Sequence, residues 1–117
     1  MSRLRPLVDP ASEAALTRSD AERRFLALIR AAKLPLPRVN TRLGAHEVDF
    51  VWTQQRLAVE VDGFRYHSSR HAFERDRARD VDIAALGYTV IRATWHQIVD
   101  EPFALVARFA QALASAG

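Results

Sequence analysis

Residues 57–67, with the sequence LAVEVDGFRYH, place two carboxylates two positions apart at the end of an apolar run. Successive residues of a β-strand point to opposite faces of the sheet, so Glu60 and Asp62 are expected to project from the same face. Asp is disfavoured in strands, and a buried charge is costly unless a cation or an arginine compensates it. The pattern therefore predicts a strand that contributes to a divalent-metal site.

A second apolar segment, EVDFVW at residues 47–52, lies just upstream and carries its own acid at Asp49. Residues 53–56 are predicted to form the turn between the two segments, which makes them neighbouring strands. Three acids, Asp49, Glu60 and Asp62, thus lie on two adjacent apolar segments. The predicted metal site therefore spans both strands.

Length and composition predict one small globular domain. The chain has 117 residues, of which 49% are hydrophobic and 26% are charged, and this is enough apolar material for a single core. No apolar run is long enough for a membrane span, and the amino-terminal sequence lacks the features of a secretion signal, so a cytoplasmic location is expected. The absence of cysteine excludes disulfides, thiolate zinc sites and cysteine nucleophiles.

The basic residues are almost entirely arginine. Lys33 is the only lysine among 17 basic residues, and the formal net charge is +3. Arginine offers planar, bidentate donors that suit phosphate, so the composition fits a nucleic-acid partner. GC-rich codon usage, which favours arginine and alanine over lysine, is an equally good explanation of the excess.

Periodicity and turn residues predict the remaining elements. Residues 1–17 contain two prolines and no sustained period, so they are expected to form an extended or partly ordered arm before a domain at 18–117. A helix capped by Ser19 or Asp20 is predicted to end before Pro35. The other predicted elements are a strand at 38–43, a helix at 71–86 closed by Gly87, a strand at 88–93 and a helix at 102–114. The resulting order, α-β-β-β-α-β-α, predicts an α/β fold with a four-stranded mixed sheet flanked by helices.

This order, together with the acids, resembles the restriction-endonuclease-like, PD-(D/E)XK, superfamily, in particular its small domains similar to very-short-patch repair endonucleases. The resemblance covers about residues 18–114. It implies an αβββαβα core and a Mg²⁺-dependent DNA endonuclease, with Mn²⁺ as a substitute, of the repair, restriction or mobile-element type. The motifs that carry it are Glu22, VDF at 48–50, EVDG at 60–63 followed by His67, FERDRARD at 73–80 and GYTVIR at 87–92.

The resemblance implies a metal site made from the two central strands. Asp49 is expected to bind the metal directly, and the backbone carbonyl of Val61 is expected to complete the coordination. Asp62 occupies the position where many superfamily members carry the motif lysine and where the very-short-patch enzymes have a histidine. This departure leaves Asp62 as a second metal ligand or as a base toward a water molecule.

Three further residues have two interpretations each. His67 matches a histidine of the repair enzymes and suits general acid or base chemistry, and the alternative is a surface-loop histidine without a catalytic role. Glu22 either reaches the metal through water or is a helix-start acid that pairs with nearby arginines. Glu60 either joins the metal site, which we favour slightly, or pairs with an arginine such as Arg92.

By the same resemblance, four arginines are expected to contact the DNA backbone: Arg65, Arg75, Arg77 and Arg79. The alternative for those at 75–79 is a solvated helix face with intrahelical ion pairs. The chain has little room for its own recognition domain, so a homodimer or a separate targeting domain is expected to supply specificity. Two rival functions remain open: a non-catalytic nucleic-acid-binding module that retains the fold, and a structural domain whose acids merely pair with arginines.

Overall fold

Four strands and four helices make up the part of the chain that the structure, a computed structural model, describes: residues 10–63 and 70–115. The model confirms the predicted α/β class with helices around a four-stranded sheet. The elements run in the order α1 (Pro10–Ala31), β1 (Arg38–Leu43), β2 (His46–Trp52), β3 (Leu57–Val61), α2 (Arg70–Ala85), β4 (Thr89–Ala93), α3 (Trp95–Asp100) and α4 (Pro102–Ser115).

The sheet is mixed, and its strands lie side by side in chain order. β1 pairs with β2 and β2 with β3 in antiparallel fashion, whereas β3 and β4 are parallel. A parallel pair requires a long connection between its strands, and α2 lies on that connection. The β3–β4 register sets Glu60 opposite Arg92. Glu60, an acid of the predicted site, therefore lies beside Arg92, although the two residues are more than thirty positions apart in the chain.

An aromatic cluster fills the core on the face of the sheet covered by α1, α3 and α4. The Phe25 ring lies 5.1 Å from Phe50 and 5.2 Å from Phe109, measured between ring centroids. Trp52 lies 6.0 Å from Phe109 and donates a hydrogen bond from Nε1 to the Pro35 carbonyl at 2.8 Å. These rings are almost fully buried, so this face supplies most of the apolar packing that holds the sheet.

A smaller apolar cluster lies on the opposite face, under α2. Ile83 of α2 is fully buried there, against Val51 and Ala58 of the central strands. Gly87 ends the helix with a φ of +95°, and a β-carbon at that position would lie 3.2 Å from the Arg56 guanidinium. Glycine is therefore required at this C-terminal cap, as the sequence predicts.

The first helix is longer than predicted. It begins at Pro10 rather than at a cap on Ser19 or Asp20, so residues 10–17 are helical and not extended. Proline is favoured in the first helical turn, and the alanine-rich sequence that follows consists mainly of good helix formers. The helix ends in a Schellman motif, in which Lys33 has a φ of +60° and the Leu34 amide donates to the Ile29 carbonyl at 3.2 Å.

The short helix α3 is absent from the predicted order. Thr94 caps it: its side chain accepts a hydrogen bond from the Gln97 amide at 3.2 Å, and Gln97 Oε1 accepts one from the Thr94 amide at 3.0 Å. This reciprocal capping box fixes the start of the helix. Ile98, which lies on the helix, is buried in the main core. The T-x-x-Q spacing is its sequence signal.

None of the helices in the described segments combines the length and the apolar character that a bilayer span requires.

Truncation of Phe109 is expected to test the aromatic core. Phe109→Ala removes a ring that is 1% exposed and is expected to lower the free energy of unfolding by about 3–5 kcal/mol in urea titrations. Phe103, on the same helix, is 88% exposed, so Phe103→Ala is the matched control and is expected to change stability by no more than about 0.5 kcal/mol. Equal losses in the two variants would contradict this account of the core.

Candidate active site

Asp49 lies where the two central strands separate. Its side chain is buried, with 4% of the residue exposed, and its Oδ2 accepts a hydrogen bond from the Val61 amide at 2.8 Å. The β2–β3 pairing extends only to Phe50 and Val59. The Asp49 carboxylate thus takes the place of a backbone carbonyl as the partner of the Val61 amide.

The other edge of β2 is also irregular at this point. The β1–β2 pairing skips Asn40 and Asp49, and Asn40 has a φ of +48°. Asparagine tolerates this left-handed conformation better than most residues. The regular ladder is therefore interrupted on both sides of Asp49, which gives its carboxylate room to bond outside the strand pattern.

Glu60 links β3 to α2 through an ion pair. It is 7% exposed, and its Oε2 forms an ion pair with Arg79 Nη2 at 2.5 Å. Arg79 also donates to the Glu47 carbonyl on β2 at 2.6 Å. One guanidinium thus joins α2 to both central strands, and Glu60 pairs directly with Arg79.

Arg92 lies among three further carboxylates. Its Nη1 is 3.6 Å from Asp62 Oδ1 and 3.6 Å from Asp76 Oδ2, and its Nη2 donates to Asp80 Oδ2 at 3.3 Å. Asp76 and Asp80 belong to α2, so Arg92 links this helix to β4.

Two opposing effects set the pKa of Arg92. Partial burial lowers it, but the charges of Asp62, Asp80, Asp76 and Glu60 together raise it by more, so the net shift of the pKa is upward. A raised pKa means that the stabilisation by this charge is present at neutral pH, where the carboxylates are ionised. It is lost as the pH rises far enough into the alkaline range for the guanidinium itself to deprotonate.

We call these seven residues the acid cluster: Asp49, Glu60, Asp62, Asp76 and Asp80 with Arg79 and Arg92. Within it, carboxylates outnumber guanidinium groups. Among the described residues, Asp80 Oδ1 is a buried atom that has no hydrogen-bond partner. This unsatisfied acceptor favours a cation or a hydrogen-bond donor beside Asp80.

Two predicted catalytic residues, Glu22 and His67, are not among the seven residues of the acid cluster. Glu22 is half-buried on α1, beside Ala21, which packs in the core on the face opposite to α2. Its catalytic role stays a prediction. His67 lies outside the described residues, and so does Arg65.

The arginines of α2 differ in their surroundings. Arg75 and Arg77 are exposed, whereas Arg79 is turned toward the sheet, with 26% of its side chain exposed. Arg79 is therefore committed to Glu60 and to the Glu47 carbonyl. Arg75 and Arg79 are four positions apart on the helix, but they differ in burial.

The described histidines are engaged elsewhere. His46 pairs with Asp82 at 3.0 Å, and His96 pairs with Asp100 at 2.8 Å. Within the residues that the structure describes, no group of three or more His, Cys, Asp or Glu side chains has an arrangement that could hold a metal ion. A metal at the acid cluster would therefore rely on few protein carboxylates.

Comparison with known sequences identifies relatives. The family model REase_MTES_1575 matches residues 22–113. The chain is 30% identical over 115 residues to the uncharacterized Mycobacterium tuberculosis proteins MT2308 and Rv2248, a match that covers 94% of this chain and 41% of each relative. It thus spans less than half the length of these relatives. An uncharacterized protein of Haemophilus influenzae is 30% identical over 90 residues, covering 75% of this chain and 74% of that protein.

A solved structure shares the fold. The catalytic domain of the homing endonuclease I-Bth0305I superposes with a TM-score of 0.68, covering 82% of this chain and 95% of that domain, at 16% sequence identity. At that identity the likeness shows a common fold and does not transfer individual residues.

Removal of the Arg79 charge is expected to destabilise the domain. Arg79→Met leaves the Glu60 carboxylate buried without its guanidinium, so the free energy of unfolding at neutral pH is expected to fall by about 2–4 kcal/mol. Arg75→Met, at an exposed position of the same helix, is the control and is expected to change stability by about 0.5 kcal/mol or less.

A double variant separates charge from packing. Adding Glu60→Gln to Arg79→Met is expected to recover part of the lost stability, because no buried charge then remains unpaired. Chemical denaturation of wild type, Arg79→Met, Glu60→Gln and the double variant gives the coupling energy between the two side chains directly. Strict additivity of the two substitutions would show that the pair contributes nothing beyond its separate side chains.

Proposed function

The chain belongs to the REase_MTES_1575 family of restriction-endonuclease-like proteins, and from this membership we propose that it is a metal-dependent DNA endonuclease. The observation that carries the proposal is the position of Asp49, bound to the Val61 amide where β2 and β3 separate. Closer kinship with the very-short-patch repair enzymes stays a prediction from sequence.

The residues at this point fit a small divalent cation. Mg²⁺ usually binds through one or two carboxylates and keeps several water molecules, so a site without three acidic ligands is sufficient. We propose that the Asp49 and Asp62 carboxylates and the Val61 carbonyl hold Mg²⁺, or Mn²⁺ in its place. The Asp80 oxygen that lacks a hydrogen-bond partner among the described residues supports a cation near this point. Such a metal polarises a phosphate and lowers the pKa of the water that it binds.

Asp49 and Glu60 contribute to the reaction in different ways. The Val61 amide fixes the orientation of the Asp49 carboxylate at the opening of the sheet. Because Glu60 forms an ion pair with Arg79, we propose that it anchors α2 and leaves metal binding to Asp49 and Asp62. This anchor holds the end of β3, and hence Asp62, in a constant position.

Proton transfer is assigned to His67 and Glu22 on sequence grounds. We propose that an imidazole nitrogen of His67 accepts a proton from the attacking water or delivers one to the leaving oxygen. Glu22 is proposed to act from α1 through an intervening water molecule. Asp62 would hold the metal in this scheme, so it does not need to act as the base.

Binding of the DNA backbone is assigned to the exposed arginines. Arg75 and Arg77 are exposed residues of α2, and we propose that they contact phosphates, together with Arg65. Phosphate contacts position a protein on DNA without reading sequence. Since the chain spans less than half of the Mycobacterium relatives, we propose that an additional domain or a second copy of the chain selects the target.

One observation favours a second candidate function. Glu60 pairs with Arg79, and Asp62 lies beside Arg92, so arginines compensate acids within the described part of the cluster. A nucleic-acid-binding module that has lost catalysis would keep such a network without using a metal. The same experiment separates the two candidates.

Nicking of supercoiled plasmid tests the nuclease proposal. The protein is expected to relax the plasmid in Mg²⁺ or Mn²⁺ but not in EDTA. Asp49→Asn keeps the size of the side chain and an oxygen acceptor for the Val61 amide, but it is expected to reduce nicking at least about 100-fold. Asp100→Asn, at an exposed acid on α3, makes the same chemical change and is expected to leave nicking unchanged.

Equal nicking by wild type and Asp49→Asn would refute the assignment of Asp49. A folded wild-type protein that binds DNA but does not cut plasmid, mismatched or branched duplexes in either metal would favour the non-catalytic module.

The exposed arginines are tested by the salt dependence of DNA binding. Replacing both Arg75 and Arg77 with alanine is expected to weaken binding to a similar extent for all sequences and to reduce the slope of log K against log salt by about 2. Fluorescence anisotropy over a salt series gives both quantities. Arg108→Ala, at an exposed position on α4, should retain the wild-type slope, and an unchanged slope in the double variant would exclude these phosphate contacts.

A further inference from the structure

Arg92 is held firmly on one side, by α2. Its Nη2 donates to Asp80 Oδ2 at 3.3 Å, and its Nη1 lies 3.6 Å from Asp76 Oδ2. Its backbone belongs to β4, in register with Glu60. The guanidinium thus bridges the edge of the sheet and the helix, and two carboxylates of one helix compensate its charge.

The contact of Arg92 with Asp62 is longer than its hydrogen bond to Asp80 and equal in length to its contact with Asp76. The distance of 3.6 Å between Nη1 and Oδ1 is longer than a direct hydrogen bond. About a third of the Asp62 side chain is exposed, while its backbone amide is fixed by a hydrogen bond to the Ala93 carbonyl at 2.8 Å. The Asp62 carboxylate is therefore attracted to Arg92 by charge, and its backbone is held in place independently of that attraction.

We propose that Arg92 is a built-in counter-cation that competes with the divalent metal for Asp62. In the metal-free protein it offsets the negative charge of the acid cluster. When a metal binds Asp62, Arg92 keeps Asp76 and Asp80 as partners and so is not left unpaired. Arg92 acts through Asp62 and is thus a positioning residue. This inference rests on the metal site of the proposed function.

The competition follows from the positive charge of Arg92, which is present at every physiological pH. A guanidinium stays protonated at any physiological pH, so Arg92 keeps its positive charge within the acid cluster. A positive charge beside a ligand raises the electrostatic free energy of a divalent cation at that ligand. Arg92 therefore sets the metal affinity below the value that Asp49 and Asp62 would give alone.

Arg92→Met is expected to change stability and metal affinity in opposite directions. Without metal, the variant should melt at a lower temperature than wild type, since the carboxylates then repel one another. Its dissociation constant for Mg²⁺ or Mn²⁺ is expected to fall on the order of 10-fold. Arg92→Lys keeps the charge and is expected to bind metal within about 3-fold of wild type.

Isothermal titration and thermal melts with Mg²⁺ and Mn²⁺ measure both effects without requiring activity. The control is Arg38→Met, at an exposed position on the edge strand β1, which should match wild type. A merely structural role for Arg92 would lower the melting temperature but leave the dissociation constant unchanged. Arg92→Gln removes the charge and keeps a hydrogen-bond donor toward Asp80, so it replaces Arg92→Met if that variant does not fold.

The outcomes separate this inference from the proposed function. Tighter metal binding by the uncharged variants, with Arg92→Lys and Arg38→Met near wild type, supports the competition. A second outcome is that wild type binds metal and Asp49→Asn does not, while the uncharged Arg92 variants bind metal as tightly as wild type or more weakly. This outcome overturns the role of Arg92 but leaves the metal site standing. Failure of wild type and all variants to bind metal overturns the metal site itself and this inference with it.

Discussion

The hydrogen bond from the Val61 amide to the Asp49 carboxylate determines where the sheet opens. On one side of this point β2 and β3 pair regularly, and the aromatic rings of the main core stabilise the paired region. Beyond it a side chain, instead of the backbone, connects the two strands. A buried carboxylate with a backbone amide as its partner can remain in a sheet without distorting its core. The proposed metal ligands and the charged end of α2 are all arranged around this opening.

Helix α2 contacts the sheet in two chemically different ways. Toward its carboxyl end Ile83 is buried in a small apolar cluster, whereas nearer its amino end Arg79 and the acids at positions 76 and 80 meet charges of β3 and β4. Partly buried ion pairs contribute little net stability, because desolvation offsets their attraction. A purely apolar contact would hold the helix equally well, so the charged half of the interface is better explained by the site that it surrounds. The small apolar cluster holds the helix, and the charged part aligns it with the ends of the strands.

The sequence predicts most of the fold because the strands have clear apolar runs and turns, and the strands at 38–43 and 57–61 are found close to their predicted limits. The start of α1 was predicted wrongly, since Ser19 is a good cap but the residues before it already favour a helix. The pairing of Glu60 with Arg79 could not be derived from the local sequence pattern, because it depends on how the crossover helix α2 packs against the sheet. The positions 76, 80 and 83, at helical spacing, do indicate the inner face of α2 and give the nearest sequence signal for this network.

The parallel pairing of β3 with β4 has a consequence for the order of assembly. The first three strands are joined by short turns, so they can pair soon after they leave the ribosome, but the strand that carries Arg92 follows only after the whole crossover helix. Such long-range contacts form late in folding. Until they form, Asp62 lies at the edge of a partial sheet without Arg92. A chain interrupted before its fourth strand therefore lacks one of the charges that offset its acids, and the acid cluster is completed only when β4 has been synthesised.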